Sequence, residues 1–391
     1  MPWKKKSKEE QKFDLVRQMM SAEASVAEVA RRFGVSRQTA YKWCQRYRAR
    51  RWRGLREKSR RPLVLAAQTN APGLRRLRRL RRRHPTWGAR KLRHVLAQRF
   101  GAAQTPAVAT IGRWLKRWGL TRGRRRRLRG PQIRRPAIRK SEGCHDVWTA
   151  DFKGWYRTGD GTRVEPLTVR DLYSRYGLGV VLLRTTAVAA TQRALRRLFL
   201  RYGLPRRIRC DNGTPFGAIG TTGLSRLSAW WVKLGIEVEF ITPGRPSENG
   251  AHEQFHRVYK AEVAARPART VRGQQRRSDR WLAHYNQERP HEGLGMKTPA
   301  QVFRSNRRRW RGRLEPWSYP QGWIGCWVKG NGEISWRGKR RYIGEAFVRD
   351  YVGLKAAGLG VWRVYFGPQL VGELREKESG VIRMARYARG G

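Results

Sequence analysis

Acidic residues are scarce in this sequence, and a few of them stand where chemistry can be done. The chain carries 88 Lys and Arg against 28 Asp and Glu, a net charge of +60. Asp151 stands in WTADFKGW between Ala150 and Phe152, and Asp211 in IRCDNGTPF ahead of Asn212-Gly213. The stretch SENGAHEQFHR adds Glu248 and Glu253. A carboxylate among apolar strand neighbours is costly unless it is paired or metal-bound. Carboxylates drawn from a strand, a strand end and a helix can converge on one cleft. Such a cleft suits hard, oxygen-seeking cations such as Mg²⁺ that keep several waters. Two ions about 3.5–4 Å apart can bind both the attacking and the leaving oxygen of an in-line displacement at phosphorus. Asp and Glu, with reference pKa values near 4, need no tuning to act as ligands at neutral pH. This chemistry requires neither a Ser-His-Asp nor a Cys-His arrangement.

Other polar residues in the same stretches have plainer readings. Asp171, ahead of Leu-Tyr-Ser-Arg, is better placed to cap a turn between strands than to bind metal. His252 and His256 flank Glu253 on a helix and are expected at the surface or against DNA, with His252 near enough to tune the site. Cys44, Cys144, Cys210 and Cys326 lie far apart and form no CxxC pair. They read as isolated reduced thiols, not as a zinc knuckle or a disulfide framework.

The elements that must position these residues follow from the pattern. From Cys144 onward the texture is that of strands: CHDVWTADFKGWY ends in the hairpin signal Asp160-Gly161, and TRVEPLTVRDLYS and RYGLGVVLLRTTA follow as an antiparallel meander. AVAATQRALRRLFLRYG is an amphipathic helix, RRIRCDNGTPF a short strand ending at Asp211, LSRLSAWWVKLG a helix, IEVEFIT a strand and ENGAHEQFHRVYKAEVAA a helix. Three strands, then helix, strand, helix, strand and helix, make an α/β layer with a mixed sheet.

The front end reads as DNA recognition. Residues 8–20 carry apolar side chains at helical spacing. Ser25 caps a helix through Phe33, Gly34 breaks it, and Ser36 caps a second, basic helix to about Tyr47. Helix, glycine turn and capped basic helix form a helix-turn-helix, whose second helix offers Arg37, Gln38, Thr39 and Lys42 to the major groove. The alternative is a three-helix scaffold that does not touch DNA, and the basic face argues against it. GLREKSRRP at 54–62 reads as a linker. A second helix-turn-helix follows, with helix 73–83, then HPTWGARKLRHVLAQRF, then PAVATIGRWLKRWGL capped at Thr110. The run TRGRRRRLRGPQIRRPAIRK at 121–140 is a basic strap that tracks phosphates without reading bases.

After RSNRRRWRGR at 304–313 short strands divided by Gly turns predict a small antiparallel barrel or sandwich. Its Trp323, Trp327, Trp336 and Trp362 are expected in its core. A mean hydropathy of −0.76, no apolar run long enough to span a bilayer, and no apolar signal segment in MPWKKKSKEEQKF leave nucleic acid as the polyanion this charge would meet. The expected setting is cytoplasmic and nucleoid-associated.

WTADFKGW, VRDLYSRY, IRCDNGTPF, PGRPSENGAHEQFHR and YNQERPHEGLGMKTPAQVF, in that order, closely resemble bacterial insertion-sequence transposases with a retroviral-integrase-type core, nearest to insertion-sequence family four-eighty-one. The resemblance covers nearly the whole chain. It implies a DDE triad of Asp151, Asp211 and Glu253 holding Mg²⁺ or Mn²⁺, two ions in all. The family places its glutamate three residues after an Asn-Gly or Asn-Ala pair, which selects Glu253 over Glu248. The interval from Asp211 exceeds the retroviral spacing, and GAIGTTG at 217–223 can hold the surplus. Lys260, about two turns along the same helix face, is expected to contact DNA; VYK stands where TLK is more usual.

The expected fold class is therefore multidomain, with N-terminal all-α helix-turn-helix modules, a central α/β RNase-H-like integrase core and a small all-β barrel at the C-terminus. The expected domains are 1–60 and 70–120 for the two helical modules, 121–143 for the basic linker, 144–305 for the core and 314–391 for the β-rich domain. The expected function is binding of a mobile element's inverted-repeat ends, with metal-dependent cleavage and strand transfer. The partners are double-stranded DNA of element ends and target, and further copies of the chain, since paired ends must be processed together. A DNA-binding regulator with an inactive core is disfavoured by the intact triad. A host nuclease of the RNase H superfamily is disfavoured by the two helix-turn-helix modules.

Overall fold

The computed structural model describes residues 6–21, 24–57, 71–121, 140–218, 223–242, 250–314, 317–378 and 380–384. Glu248, all but the ends of the 121–143 linker, the 54–62 linker from residue 58 on, and most of the Gly-rich 217–223 segment lie outside the described residues. The chain divides into two compact units, Met1–Thr69 and Asn70–Gly391.

The first unit is built from α1 (Lys8–Met20), α2 (Val26–Arg32) and α3 (Arg37–Arg50), closed by a 3₁₀ turn over Arg51–Leu55. Ser25 and Glu28 form a reciprocal capping box on α2, and Ser36 accepts the backbone N–H of Thr39 to start α3. Each such cap stabilises its helix by about 1 kcal/mol. Gly34 turns the chain between them at φ +63°, a conformation that suits a residue without Cβ. Leu15, Val16, Val29, Ala30, Ala40, Cys44 and Leu55 fill the small core. Burial of each large aliphatic side chain contributes roughly 1.5–3 kcal/mol. The last helix runs one turn beyond the expected end at Tyr47.

The second unit opens with α4 (Ala71–Arg83), α5 (Ala89–Phe100) and α6 (Val108–Arg117), packed around Leu77, Trp87, Leu92, Ile111 and Leu115. Thr110 does not cap α6. The helix begins after Ala107, whose backbone is extended, and Thr110 is already inside its first turn. Pro106 sets this start, because a proline just ahead of a helix needs no N–H partner and holds the entering chain.

A mixed sheet follows. Its strands are β1 (Val147–Phe152), the short β2 (Tyr156–Arg157), β3 (Arg163–Asp171), β4 (Gly177–Leu183), β5 (Arg207–Cys210) and β6 (Glu237–Phe240). Its helices are α7 (Val188–Tyr202), α8 (Arg226–Lys233), α9 (Gly250–Tyr259), α10 (Val271–Glu288) and α11 (Pro299–Val302). The main sheet order is β4-β3-β1-β5-β6, with β2 folded as a hairpin onto the start of β3 around Gly161 at φ +81°. The first three strands pair antiparallel, while β5 and β6 join parallel. One face carries Trp148, Ala150, Leu167, Val169 and Ile208 with Leu195 and Phe199 of α7 and Trp231 of α8. The other carries Val180 under Phe255, Tyr259, Trp281 and Tyr285 of α9 and α10. The side chain of Asn286 clamps Gly177 by two backbone hydrogen bonds of 2.8 and 2.9 Å, and a Cβ on Gly177 would strike Leu282.

The tail holds β7 (Ile324–Trp327), β8 (Glu333–Trp336), β9 (Lys339–Tyr342), β10 (Tyr351–Gly358), β11 (Val361–Phe366), β12 (Gln369–Arg375), β13 (Gly380–Val381) and β14 (Arg383–Met384). The expected small barrel is not closed: the strands form two sheets, β14-β12-β11-β10-β7 and β13-β9-β8. Short strands separated by positive-φ glycines such as Gly332 and Gly338 give hairpins too brief to wrap into a continuous ladder. Trp336 is buried and meets Trp362 edge-on at 4.8 Å, as expected of core residues. Trp327 is not core. It is 47% exposed on β7, beside the exposed Tyr351. Trp323 is half-buried against Tyr319 and Tyr365. Among the described residues, no helix is long and apolar enough to cross a membrane.

Candidate active site

Strand alternation decides which side chains of β1 can do chemistry. Trp148 and Ala150 enter the core under α7 and α8, so Thr149 and Asp151 turn to the face covered by α9. Across the sheet Asp151 pairs with Thr168 and Thr149 with Arg170. On the other side Thr149 pairs in parallel with Arg209, and continuing that register sets Asp211, just past β5, level with Asp151. Asn212 fixes the loop that follows by donating to the carbonyl of Ile241 at 2.7 Å.

The electrostatics of this edge disfavour ionised carboxylates, because burial and mutual repulsion outweigh the compensating contacts. Burial, then the charge of Asp211 and that of Glu253, push the Asp151 carboxyl up to about 7, against a hydrogen bond from the backbone of Phe152 and the pull of Lys153. Burial also raises Asp211, opposed by the backbone N–H of Gly213. Oδ1 of Asp211 is buried with no hydrogen-bond partner among the described residues. A buried carboxylate oxygen left unsatisfied costs several kcal/mol unless something else meets it. Oxygen donors in this state are the set a divalent cation takes. Glu253 is exposed in the first turn of α9. The buried Arg170 donates to the carbonyl of Ala251 and lies 4.8 Å over the Phe255 ring, so it ties the start of α9 to β3 and fixes where Glu253 stands.

The two histidines are not surface residues. His252 is fully buried, with Nδ1 2.7 Å from the Thr149 hydroxyl and Nε2 2.6 Å from that of Thr168. His256 brings its own Nε2 to 2.6 Å from Thr168, and its Nδ1 lies 3.8 Å from Oδ2 of Asp151. Burial lowers both, His256 to about 3 with help from Lys153 and Arg170, so both rings are neutral at pH 7. His252 and His256 are four residues apart and share one face of α9, which both turn onto Thr168, while Glu253 sits about 60–100° around the helix from them.

Asp171 caps a turn: it is fully buried, accepts the backbone N–H and hydroxyl of Ser174, and accepts the N–H of His145 at 2.7 Å. Lys260 is exposed where α9 passes into a π turn over Lys260–Ala264. Its charge acts on Lys153, which is lowered by burial and by Lys260 and raised by Asp151. Arg37, Gln38 and Lys42 are exposed on the first turns of α3, and Thr39 is half-buried with its hydroxyl 2.9 Å from that of Ser36. The four cysteines are free. Lys153, Thr149, Thr168 and Arg170 were missed in the sequence. Their signal was present as polar residues at alternate positions of otherwise apolar strands, on the face opposite Trp148 and Val169.

Comparison with known proteins agrees along the chain. Models of an integrase core domain match residues 142–246 and 234–299, a helix-turn-helix domain matches 11–62, and a homeodomain-like domain matches 39–115. The model of the IS481 family transposase C-terminal domain matches 326–380. A 39.2 kDa protein of insertion element IS476 from Xanthomonas euvesicatoria is 30% identical over 237 residues, 60% of this chain and 64% of the relative. A 31.7 kDa protein of insertion element IS407 from Burkholderia multivorans is 27% identical over 56% of this chain and 76% of its own length. The HTLV-2 integrase catalytic core in complex with magnesium aligns over 42% of this chain and all of its own, at 16% identity and a TM-score of 0.34. The simian T-cell lymphotropic virus intasome aligns over 80% of this chain and all of the matched one, at 14% identity and 0.38. The match to the first relative thus spans just under two thirds of that relative's length. With matches to an integrase core, to helix-turn-helix modules and to the IS481 family transposase C-terminal domain in one chain, the protein is similar along its length to insertion-sequence transposases of the IS481 family.

Proposed function

We propose that the protein recognises the inverted-repeat ends of its own element, cuts them at their 3′ ends and joins the freed hydroxyls to target DNA. The observation that carries the reading is the convergence of buried carboxylates at Asp151 and Asp211, both raised by burial, inside a chain of net charge +60. Asp151, Asp211 and Glu253 would hold Mg²⁺ or Mn²⁺, two ions in all. When bound, the metal supplies Lewis-acid activation of the attacking oxygen and stabilisation of the leaving one. Asp151 presents its carboxylate from the centre of the sheet, and Asp211 presents an oxygen with no competing donor among the described residues. Arg170 holds the α9 backbone so that Glu253 closes the third side. Lys153 and Lys260 neutralise phosphate beside the carboxylates. Arg37, Gln38, Thr39 and Lys42 read bases in the major groove, and the basic 121–143 segment adds phosphate contacts. Copies of the chain act together on paired ends.

The test is incubation of the full chain with DNA carrying the element's end repeats and Mg²⁺ or Mn²⁺. Joined products that vanish with Asp151→Asn and Asp211→Asn support the reading. Strand transfer that survives Asp151→Asn overturns it, and sequence-specific binding with no cleavage in either metal identifies a regulator instead.

A further inference from the structure

Beside the carboxylates, the hydrogen-bond pattern assigns the tautomer of a histidine and leaves one of its nitrogens facing Asp151. The hydroxyl of Thr168 meets three partners: the carbonyl oxygen of Asp151 at 3.0 Å, Nε2 of His252 at 2.6 Å and Nε2 of His256 at 2.6 Å. A hydroxyl has one proton and two lone pairs, and a carbonyl only accepts. One assignment satisfies all three contacts. Thr168 donates to Asp151, and both imidazoles donate Nε2–H to Thr168. His252 is then complete, since its bare Nδ1 accepts the Thr149 hydroxyl at 2.7 Å. Among the described residues, His256 is not complete. Its Nδ1 carries a lone pair in this tautomer and lies 3.8 Å from Oδ2 of Asp151, beyond hydrogen-bond reach.

Two electron-pair donors at this spacing have a common solution. An ion about 2.0–2.2 Å from each spans roughly 3–4 Å between ligand atoms, depending on the angle at the metal. The ligand atoms of Asp151, His252 and His256 all lie within 4.8 Å of one another, and His252 has both nitrogens committed to threonines. We infer that His256 is a nitrogen ligand, through Nδ1, to the divalent cation held by Asp151, with Thr168 and His252 locking the ring in place. The inference rests on the proposed metal site and adds a donor to it. Mg²⁺ takes oxygen, whereas imidazole suits the transition metals, so a nitrogen donor shifts preference toward Mn²⁺. Hydrogen bonding of the far nitrogen is the usual device that orients a ligating histidine, and Thr168 supplies it.

The experiment is electron spin-echo spectroscopy of Mn²⁺ bound to the full chain, without DNA, with unlabelled and ¹⁵N-histidine protein. The expected result is a directly bound nitrogen whose coupling changes with the label and disappears in His256→Ala and His256→Gln. Mn²⁺ affinity should fall about tenfold in those variants, as for other lost metal-site partners, while Mg²⁺ affinity changes little. Mn²⁺ that binds in an Asp151-dependent way with oxygen ligands alone overturns the inference and leaves the functional reading standing. Mn²⁺ binding that Asp151→Asn leaves intact overturns both.

Discussion

Arg289 and Glu262 form an ion pair of 3.3 Å with both side chains nearly sealed from solvent, at 5% and 15% exposure. Glu262 lies in the π turn that continues α9, and it also accepts from Trp281 at 2.6 Å and from the hydroxyl of Thr86. Thr86 belongs to the turn between α4 and α5, so this carboxylate joins the second helical module to the helix that carries Glu253. In the same turn region, His84 stacks on Trp87 at 3.8 Å and on His284 of α10 at 5.0 Å. The helix is therefore held at its start by Arg170 and at its end by Glu262.

Removing Glu262 leaves a buried guanidinium without its carboxylate. Glu262→Ala and Arg289→Ala should each destabilise the second unit by about 3–5 kcal/mol, the cost of a broken buried pair. The double variant should lose less than the sum of the two. Chemical denaturation of the four proteins measures this. Strictly additive losses would show that the pair does not act as a unit.

Asp151→Asn should make the metal-free protein more stable while abolishing its response to metal. The folded-state carboxyl titrates near 7 against an ordinary value of 3.8. An acid whose folded pKa is raised is destabilising when ionised. That penalty is absent below pH 4, grows as pH rises to 7 and is complete above it. The variant should therefore melt with the wild type at pH 4 and above it at pH 8, by about 1–3 kcal/mol once solvent screening is allowed for. Thermal melts with and without Mn²⁺ at both pH values test this. A variant less stable than wild type at pH 8 without metal would contradict the account.

Much of the candidate site was legible in the sequence. Asp151 and Asp211 stood out because carboxylates next to apolar strand residues are anomalous in so basic a chain, and the alternation of β1 was plain. The caps at Ser25 and Ser36 were local, and local signals survive folding. What escaped depends on contacts distant in sequence. Thr168 matters through residues 252 and 256, and Arg170 through Ala251, pairings that strand register and helix placement create together. The histidines were assigned to the surface because polarity is a poor guide where a hydroxyl waits to receive them. The β-rich tail was legible, but not that it stays open, because strand composition does not reveal whether a ladder closes.

The first unit should separate stability from recognition. Ser36→Ala removes the acceptor for the N–H of Thr39 and should cost about 1 kcal/mol of that unit's stability. Arg37→Ala and Gln38→Ala change exposed groups at the start of α3, and should leave folding intact. Each should lower discrimination between end-repeat DNA and random DNA by about 1–3 kcal/mol if the side chain reads a base edge. Fluorescence anisotropy on both DNAs over a salt series checks this. Equal weakening on both DNAs, with a shallower salt slope, would reassign these residues to phosphate contacts.

Lys153 offers a test of opposite signs at the site itself. Its ammonium is partly buried, repelled by Lys260 and attracted by Asp151, while its backbone N–H is fixed to the carbonyl of Pro166 at 3.0 Å. A positive charge here opposes a bound cation and favours a phosphate. Lys153→Met should therefore raise Mn²⁺ affinity about two- to threefold, the size of a partly screened charge interaction at this range. The same variant should lower strand transfer about tenfold or more, through loss of a charge-assisted phosphate contact. Lys260→Met, on the exposed side, should show the DNA effect with a smaller gain for metal. Calorimetric Mn²⁺ titration and a joining assay on the same preparations give both readouts. If metal affinity and joining fall together, Lys153 is a packing residue of the strand end and the division of labour between lysines and carboxylates is wrong.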